Sequence, residues 1–276
     1  MEQKRILTIQ DISCVGQCSL TVALPIISAC GVEAAVLPSA VLSTHTGGFT
    51  GYTFRDLTED MPLIKEHWIN EGIKFDAIYT GYLGSTKQID YVKDIMKDVL
   101  AAGGLRIVDP AMADNGNLYY GFDDEFVSAM AGLCAEADII LPNITEACFM
   151  TGCEYKEVYD KDYIDNLLDK LSKLCPDTVV LTGVGYDEAH TGVVVKEASR
   201  VSYYEHKRIK GGTHGTGDVY ASAFTGAMMK DKTVYDAAKI AADYTLACIE
   251  NTIDDEKHWY GVKFESVLGK LIDALR

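Results

Sequence analysis

The residues best suited to chemistry stand in one glycine-rich segment, residues 211–218, which reads Gly-Gly-Thr-His-Gly-Thr-Gly-Asp and precedes an apolar stripe of helical spacing. Backbone N–H groups of such a segment, aimed along a helix start, bind anions. A carboxylate at Asp218 suits this place only if it takes a proton from a nucleophile. An anion hole of Gly215, Thr216 and Gly217 beside a base is what phosphoryl transfer to an alcohol requires. The alternative is a plain loop in which Thr216 caps the helix and Asp218 complements the helix dipole.

The elements that must position this segment alternate between short β-rich runs and longer helical runs. We expect strands at residues 5–10, 33–37, 77–80, 105–108, 138–141 and 178–181, followed by an antiparallel hairpin at 193–196 and 201–205. Helical spacing predicts helices between them, including one at 89–102 that two glycines end, and two more near the C-terminus. This alternation predicts one α/β domain over residues 1–276, with a mostly parallel central sheet flanked by helices on both faces.

Polar residues and glycines follow almost every predicted strand, at the edge where ligands bind in such sheets. The candidates after successive strands are Asp11, then His45 and Thr46, then Tyr82, then Asp109 and Asp114, then Asn143 and Glu146, and finally Thr182. Because they collect at one end of the sheet, we expect a site there. His45 and Thr46 could also belong to a solvated loop, and Tyr82 could be a surface aromatic or the floor of a small-molecule pocket.

Asp109, Asn143 and Glu146 are the candidates for a metal site. Magnesium takes oxygen ligands, and it is usually held by one or two carboxylates together with substrate phosphates. Two interpretations of the Asn143-x-x-Glu146 spacing remain open, because Asn at a helix start with Glu three residues later is also close to a capping box. Asp109 could equally be a turn residue before proline.

The composition excludes several classes of function. The net charge is −16 at pH 7 and the pI is about 4.7, whereas a nucleic-acid or anionic-membrane binder needs the opposite sign. The opening residues lack the apolar core of a signal peptide, and no stretch reaches transmembrane length. Eight cysteines without a Cys-x-x-Cys pair indicate free thiols, so we expect a cytoplasmic protein.

Several motifs in order along the chain resemble those of pyridoxal kinases, the vitamin B6 branch of the ribokinase-like superfamily. The shared features are Ile9-Gln10, Ser43-x-His45-Thr46, Thr80-Gly81-Tyr82-Leu83-Gly84, Asp109-Pro110-x-Met112-x-Asp114, Ala137-Asp138-Ile139-Ile140-x-Pro142-Asn143-x-x-Glu146 and Gly215-Thr216-Gly217-Asp218. The last motif is common to the superfamily and indicates the reaction class. The two motifs around Thr46 and Tyr82 are more specific to the B6 branch.

The resemblance implies a ribokinase-like kinase that uses ATP and Mg²⁺, often as a homodimer, to phosphorylate the 5′-hydroxymethyl group of pyridoxal, pyridoxamine or pyridoxine. It implies that Asp218 is the catalytic base and that Gly215, Thr216 and Gly217 form the anion hole. Matching positions imply that Asp11, His45, Thr46 and Tyr82 face the substrate, that Asp109 and Glu146 serve the metal, and that the ATP-binding set is Asp109, Asp114, Asn143, Thr182, Gly215 and Gly217. The sequence leaves open whether K⁺ is also needed.

The chain departs from the family pattern on the substrate side. Relatives commonly carry Ser where this chain has Asp11, and a longer Gly-His-x-Gly-Asn segment where it has only residues 15–19, Val-Gly-Gln-Cys-Ser. A carboxylate at Asp11 could meet a substrate ammonium group and favour pyridoxamine. The alternatives are a hydroxymethylpyrimidine kinase of thiamine synthesis, a sugar kinase, or a non-catalytic B6-binding protein on the same fold.

Overall fold

A computed structural model of the chain describes residues 3–175, 177–209 and 214–276. Gly211, Gly212 and Thr213, the first part of the predicted anion-binding segment, lie outside the described residues.

The strands and helices follow one another in the predicted alternation. The strands are β1 (Arg5–Ser13), β2 (Glu33–Leu42), β3 (Phe54–Asp56), β4 (Phe75–Thr80), β5 (Leu100–Val108), β6 (Ala113–Asp114), β7 (Asn117–Leu118), β8 (Ile139–Ile140), β9 (Thr178–Val184), β10 (His190–Glu197) and β11 (Arg200–Lys207). The helices are α1 (Leu20–Ala29), α2 (Met61–Asn70), α3 (Thr86–Val99), α4 (Asp124–Cys134), α5 (Ile144–Thr151), α6 (Lys161–Leu174), α7 (Thr216–Met229), α8 (Val234–Glu250) and α9 (Leu268–Leu275). Two 3-10 turns, Glu256–His258 and Glu265–Val267, precede α9.

Nine strands form one sheet in the order β11-β10-β9-β8-β5-β4-β1-β2-β3, and β6 pairs with β7 in a separate small hairpin. The six strands from β9 to β2 in this order run parallel, while β3, β10 and β11 join the two edges through antiparallel pairing with their neighbours. The predicted mostly parallel sheet is therefore confirmed. The carboxyl ends of the parallel strands meet at one edge of this sheet.

Two apolar layers cover the sheet, one on each face. Helices α2 to α6 supply buried side chains to one layer, and α1, α7, α8 and α9 supply them to the other. Neighbouring residues of β1 separate cleanly between the layers, since Ile6 packs on the α1–α7 side and Leu7 on the opposite side. Within the described residues, no helix is long and apolar enough to cross a membrane.

Several predicted boundaries were wrong. The helix expected at 89–102 ends at Val99, and Leu100 to Gly104 belong to β5 because Leu100 pairs with Phe75 of β4. Good helix formers at 100–102 carried the helical pattern too far, and pairing with a neighbouring strand overrode that propensity. Strands β1, β2 and β9 are each longer than predicted, since ladder bonds to their neighbours include polar residues that interrupt the apolar run.

Phe224 of α7 is fully buried under the sheet, whereas Phe54 of β3 is 53% exposed. We expect Phe224→Ala to lower the free energy of unfolding by about 3–5 kcal/mol, because it removes a large buried ring and leaves a cavity. The matched variant Phe54→Ala is expected to change it by only about 0.5 kcal/mol. Urea denaturation of both variants measures the difference, and equal losses would contradict the packing described here.

Candidate active site

The segments after the central parallel strands are held at the sheet edge by ladder bonds that continue beyond the strands. The N–H of Asp109 donates to the carbonyl oxygen of Thr80 at 3.0 Å, and that of Leu141 donates to Val108 at 2.9 Å. The N–H of Thr182 donates to the carbonyl of Pro142, also at 2.9 Å. These bonds fix the backbone on which the candidate polar side chains stand.

Three of the predicted carboxylates form a buried cluster at this edge. Asp109 and Glu146 are buried, and Asp218 is partly buried at the start of α7. Burial raises the pKa of Asp109 well above its usual range, and the nearby charges of Glu146 and Asp218 raise it further. Burial likewise raises the pKa of Asp218, to about 7. The side chains of three separate elements therefore meet in one acidic site.

Glu146 closes a capping box at the start of α5. Its Oε2 accepts the N–H of Asn143 at 2.9 Å, while Oδ1 of Asn143 accepts the N–H of Glu146 at 2.9 Å. Its Oε1 accepts the N–H of Met112 at 3.2 Å. Burial raises the pKa of Glu146, and these backbone donors lower it in part. The capping interpretation of this spacing is confirmed, and the same carboxylate also lies beside Asp109.

The chemistry of this cluster fits a magnesium ion held partly by substrate phosphates. Among the described residues, no group donates a hydrogen bond to the carboxylate of Asp109, so its oxygens remain available to a cation. Three or more His, Cys, Asp or Glu side chains grouped to hold a metal are not found in the described part of the chain. A site of one or two carboxylates completed by phosphate oxygens and water is the arrangement Mg²⁺ takes with nucleotides.

The start of α7 combines a left-handed glycine with the carboxylate of Asp218. Gly215 has φ 78°, and a Cβ there would lie 1.8 Å from the carbonyl oxygen of Gln17, so only glycine fits. A Cβ on Gly217 would meet nothing within 4 Å, which leaves open space before the first turn. The first N–H groups of a helix have no partner within it, and they favour an anion in that space.

Two of the residues predicted to face a substrate, Asp11 and Tyr82, lie near this edge of the sheet. Asp11 is buried in β1 and accepts a hydrogen bond from the hydroxyl of Ser13 at 3.0 Å. Burial raises the pKa of Tyr82 to about 12, and the nearby charge of Asp11 contributes. The ring of Tyr82 stacks on Phe122 at 5.6 Å. Asp11 also raises the pKa of Asp218, so the structure brings these residues together around one space.

His45 is committed to the backbone on both ring nitrogens. The N–H of Gly47 donates to Nδ1 at 3.1 Å, so Nε2 carries the hydrogen and donates to the carbonyl of Tyr260 at 2.7 Å. Burial lowers the pKa of His45, and the ring is neutral. His45 therefore ties its own loop to the C-terminal segment, and neither nitrogen is left for a ligand.

Four of the predicted residues lie in local surroundings that differ from those expected or on the exposed surface. Asp11 and Thr182 were predicted to follow strands, but they lie within β1 and β9, because both ladders run beyond the apolar core residues. Thr182 forms a bridge with Asn143 at the same edge. Asp114 is exposed in β6 and accepts hydrogen bonds from Asn115, and Thr46 is exposed.

Two further residues, Cys18 and Ser19, lie beside the site, and the contact of Ser19 with it was not predicted from the sequence. Cys18 is partly buried, and the carboxylates of Asp11 and Asp218 raise its pKa in addition to burial. The backbone N–H of Ser19 lowers the pKa of Asp218. The sequence did show that residues 15–19 differ from the family pattern. It could not show which residues this loop contacts, because those contacts join segments that are distant in the sequence.

Comparisons with known proteins identify the family and the fold of the chain. The protein-family model for phosphomethylpyrimidine kinase matches residues 24–262. A Bacteroides thetaiotaomicron protein assigned as a phosphomethylpyrimidine kinase, solved with pyridoxal, is 37% identical, with a TM-score of 0.92 over 98% of this chain and 96% of its own. The pyridoxal kinase of Lactobacillus plantarum is 30% identical, with a TM-score of 0.91 over 99% and 98% of the two chains.

Another relative is named for phosphorylation of hydroxymethylpyrimidine. The hydroxymethylpyrimidine/phosphomethylpyrimidine kinase of Bacillus subtilis strain 168 is 26% identical over 189 residues, or 67% of each chain. The resemblance to pyridoxal kinases and the ribokinase-like fold are confirmed by these matches. The solved structures similar to this chain include a pyridoxal kinase. The chain therefore belongs to the phosphomethylpyrimidine kinase family of phosphotransferases.

Proposed function

We propose that this protein transfers the γ-phosphoryl group of ATP to the 5′-hydroxymethyl group of pyridoxal, pyridoxamine or pyridoxine. The observation that carries the proposal is the place of Asp218, at the glycine start of α7 and close to Asp11, whose charge raises the pKa of both Asp218 and Tyr82. A relative 37% identical to this chain was solved with pyridoxal, which supports a planar pyridine substrate.

The proposed reaction uses Asp218 as general base. Its carboxylate takes the hydroxyl proton while the alcohol oxygen attacks the γ-phosphorus in line, and the bond from that phosphorus to the β–γ bridging oxygen breaks to release ADP. The pKa of about 7 matches a base that must accept a proton near neutral pH. N–H groups at Gly215, Thr216 and Gly217 would stabilise charge on the transferring group.

The nucleotide would be bound by Asn143 and Thr182, which form a bridge beyond β8 at this edge of the sheet, and by the exposed Asp114. Asp109 and Glu146 would hold Mg²⁺ together with the phosphates. When bound, the ion neutralises phosphate charge that this acidic edge would otherwise repel.

All eight cysteines are free thiols, which supports a cytoplasmic location, and the family resemblance supports a homodimer.

A hydroxymethylpyrimidine kinase is the second candidate. The family model and the Bacillus subtilis relative favour it, since both are described by that substrate. An ADP-release assay across the B6 vitamers, hydroxymethylpyrimidine and ribose separates the candidates by kcat/KM. Faster turnover of hydroxymethylpyrimidine than of every B6 vitamer would overturn the B6 assignment, and no turnover of any alcohol would favour a non-catalytic binder.

Asp218→Asn tests the base. We expect the variant to fold and to bind ATP, while turnover falls by about 10²–10⁴-fold because the general base is lost. In the wild type, kcat/KM should fall as the pH drops through about 7, since the base must be ionised to accept a proton. Steady-state kinetics from pH 5.5 to 8.5 measure both effects. Activity of the variant within a few-fold of wild type would show that Asp218 only complements the helix dipole.

The magnesium site is tested by two substitutions that differ in their structural cost. Asp109→Asn and Glu146→Gln should both raise the Mg²⁺ concentration that gives half-maximal activity, because each removes a ligand charge. Glu146→Gln should also lower the melting temperature, because its amide would face the N–H of Met112 or of Asn143. Asp109→Asn should not lower it, because the substitution relieves repulsion among buried carboxylates.

Magnesium titrations of activity and thermal melts of both variants give the measurement. An unchanged magnesium requirement in Glu146→Gln, with a lowered melting temperature, would mean that this residue serves only the capping box.

The ring pocket is tested at Tyr82 and Asp11. Tyr82→Ala should weaken vitamer binding by about 0.5–1.5 kcal/mol beyond the lost contact area, the usual scale for aromatic pairs, and should leave the KM for ATP nearly unchanged. Asp11→Ser should shift the preference from pyridoxamine toward pyridoxal, because a carboxylate attracts the substrate ammonium group. KM values for both vitamers and for ATP decide the matter. If Tyr82→Ala raised only the KM for ATP, Tyr82 would belong to the nucleotide side of the anion hole and not to the vitamer side.

A further inference from the structure

Residues 17–19, in the loop that departs from the family pattern, contact both halves of the proposed phosphoryl-transfer site. The carbonyl oxygen of Gln17 lies so close to Gly215 that a Cβ there would be 1.8 Å away. Two residues later, the backbone of Ser19 lies close enough to Asp218 to lower the pKa of its carboxyl group. A shift of this short stretch would therefore disturb the anion hole and the base together.

The backbone of this stretch is strained. Ser19 has φ 54° and ψ −132°, a conformation that residues other than glycine seldom adopt. Such a conformation persists only where the surroundings hold it. Thr21 contributes from α1, since its hydroxyl donates to the carbonyl oxygens of Gly16 at 3.0 Å and Cys18 at 2.7 Å. A second set of contacts holds the other end of the stretch.

That second set comes from the side chain of Gln17. Its Nε2 donates to Glu265 Oε1 at 3.0 Å and to Oε2 at 3.3 Å. Its Oε1 lies 2.7 Å from Nε2 of His258, and because an amide oxygen only accepts, His258 is the donor. A Cβ on Gly261 would lie 2.6 Å from the Cβ of Gln17, so the backbone there also packs on this side chain.

The partners of Gln17 belong to residues 256–265, which we call the C-terminal strap. The strap is fastened to the end of α8, where Thr252 Oγ1 accepts the N–H of Lys263 at 2.8 Å and Asn251 Nδ2 donates to the carbonyl of Lys263 at 2.8 Å. It also receives the hydrogen bond from His45 at the carbonyl of Tyr260. Hydrogen bonds to the end of α8 thus hold the strap in place, and its contacts with Gln17 connect it to the loop beside the site.

We propose that Gln17 is a positioning residue, which holds residues 17–19 against the C-terminal strap so that Gly215 and Asp218 keep the geometry for phosphoryl transfer. This inference rests on the proposed kinase function. It gives the unmatched loop a role in turnover, which depends on the hydrogen bonds of one side-chain amide with Glu265 and His258. Gln17 acts through the loop and touches no reacting atom.

The test exchanges the donor and the acceptor of the hydrogen bond between residues 17 and 265. Gln17→Ala removes both side-chain contacts. Gln17→Glu keeps the acceptor for His258 but sets a carboxylate against Glu265. The double variant Gln17→Glu with Glu265→Gln restores the pair in reverse, because the new amide at 265 donates to the new carboxylate at 17. Lys4→Ala is the control, since it breaks an exposed long-range pair with Asp231 at the opposite edge of the sheet.

We expect kcat to fall at least about tenfold in Gln17→Ala and Gln17→Glu, because small misplacements of catalytic groups cost rate steeply. The KM for the alcohol substrate should stay within about threefold, and the double variant should recover to within about threefold of the wild-type kcat. Lys4→Ala should keep the wild-type kcat. A role of Gln17 in stability alone would lower the melting temperature without this split between kcat and KM.

Amide hydrogen exchange without substrate separates failure of this inference from failure of the proposed function. Gln17→Ala and Gln17→Glu should both raise the exchange rates at residues 16–19 and 214–218 and leave those of β4 unchanged. In the double variant Gln17→Glu with Glu265→Gln, the exchange rates should return toward the wild-type values. These outcomes hold even if the wild type phosphorylates none of the proposed alcohols, which would overturn the proposed function only. Unchanged exchange in Gln17→Ala, a kcat within twofold of wild type, or no recovery in the double variant would overturn the positioning role.

Discussion

Asp109, Glu146 and Asp218 bring three carboxylates to one edge of the sheet, where burial and mutual repulsion both oppose ionisation. No ion pair between described residues neutralises this cluster. Backbone donors from Met112 and Asn143 hold Glu146, and the backbone of Ser19 lowers the pKa of Asp218. The carboxylate of Asp109 has no such donor among the described residues, and the proposed divalent cation, bound with phosphates, would neutralise it. The acidic site is therefore suited to binding metal and nucleotide together.

The capping box and the proposed metal site share Glu146, and the two roles support each other. The backbone N–H groups that close the box orient the carboxylate toward Asp109 and leave little freedom to its side chain. A carboxylate held in this way loses less conformational entropy when a ligand binds. Local structure and chemistry are thus not competing explanations for this residue, although the sequence pattern presented them as alternatives.

The loops after β1 and β2 are both joined to the C-terminal strap. His45 joins the loop after β2 to the C-terminal strap, Gln17 joins the loop after β1 to the same strap, and Trp259 packs on Gly48. The ring of Phe49 lies 4.6 Å from that of Trp259. A chain segment that is more than 200 residues away in sequence therefore holds both of these loops in place.

The sequence by itself determined the sheet, its mostly parallel order and the edge at which the polar residues gather, because apolar periodicity and the residues that follow each strand are local signals. It identified Asp218, Asp109, Glu146 and Tyr82 as candidates, and the structure brings them to one edge. It placed Asp11 and Thr182 outside their strands and extended the helix before β5 to residue 102, because pairing with neighbouring strands decides where a strand begins and ends. The partners of Gln17 and His45 were decided only by the tertiary structure, since hydrogen bonds between segments 215 to 248 residues apart leave no pattern in either segment alone.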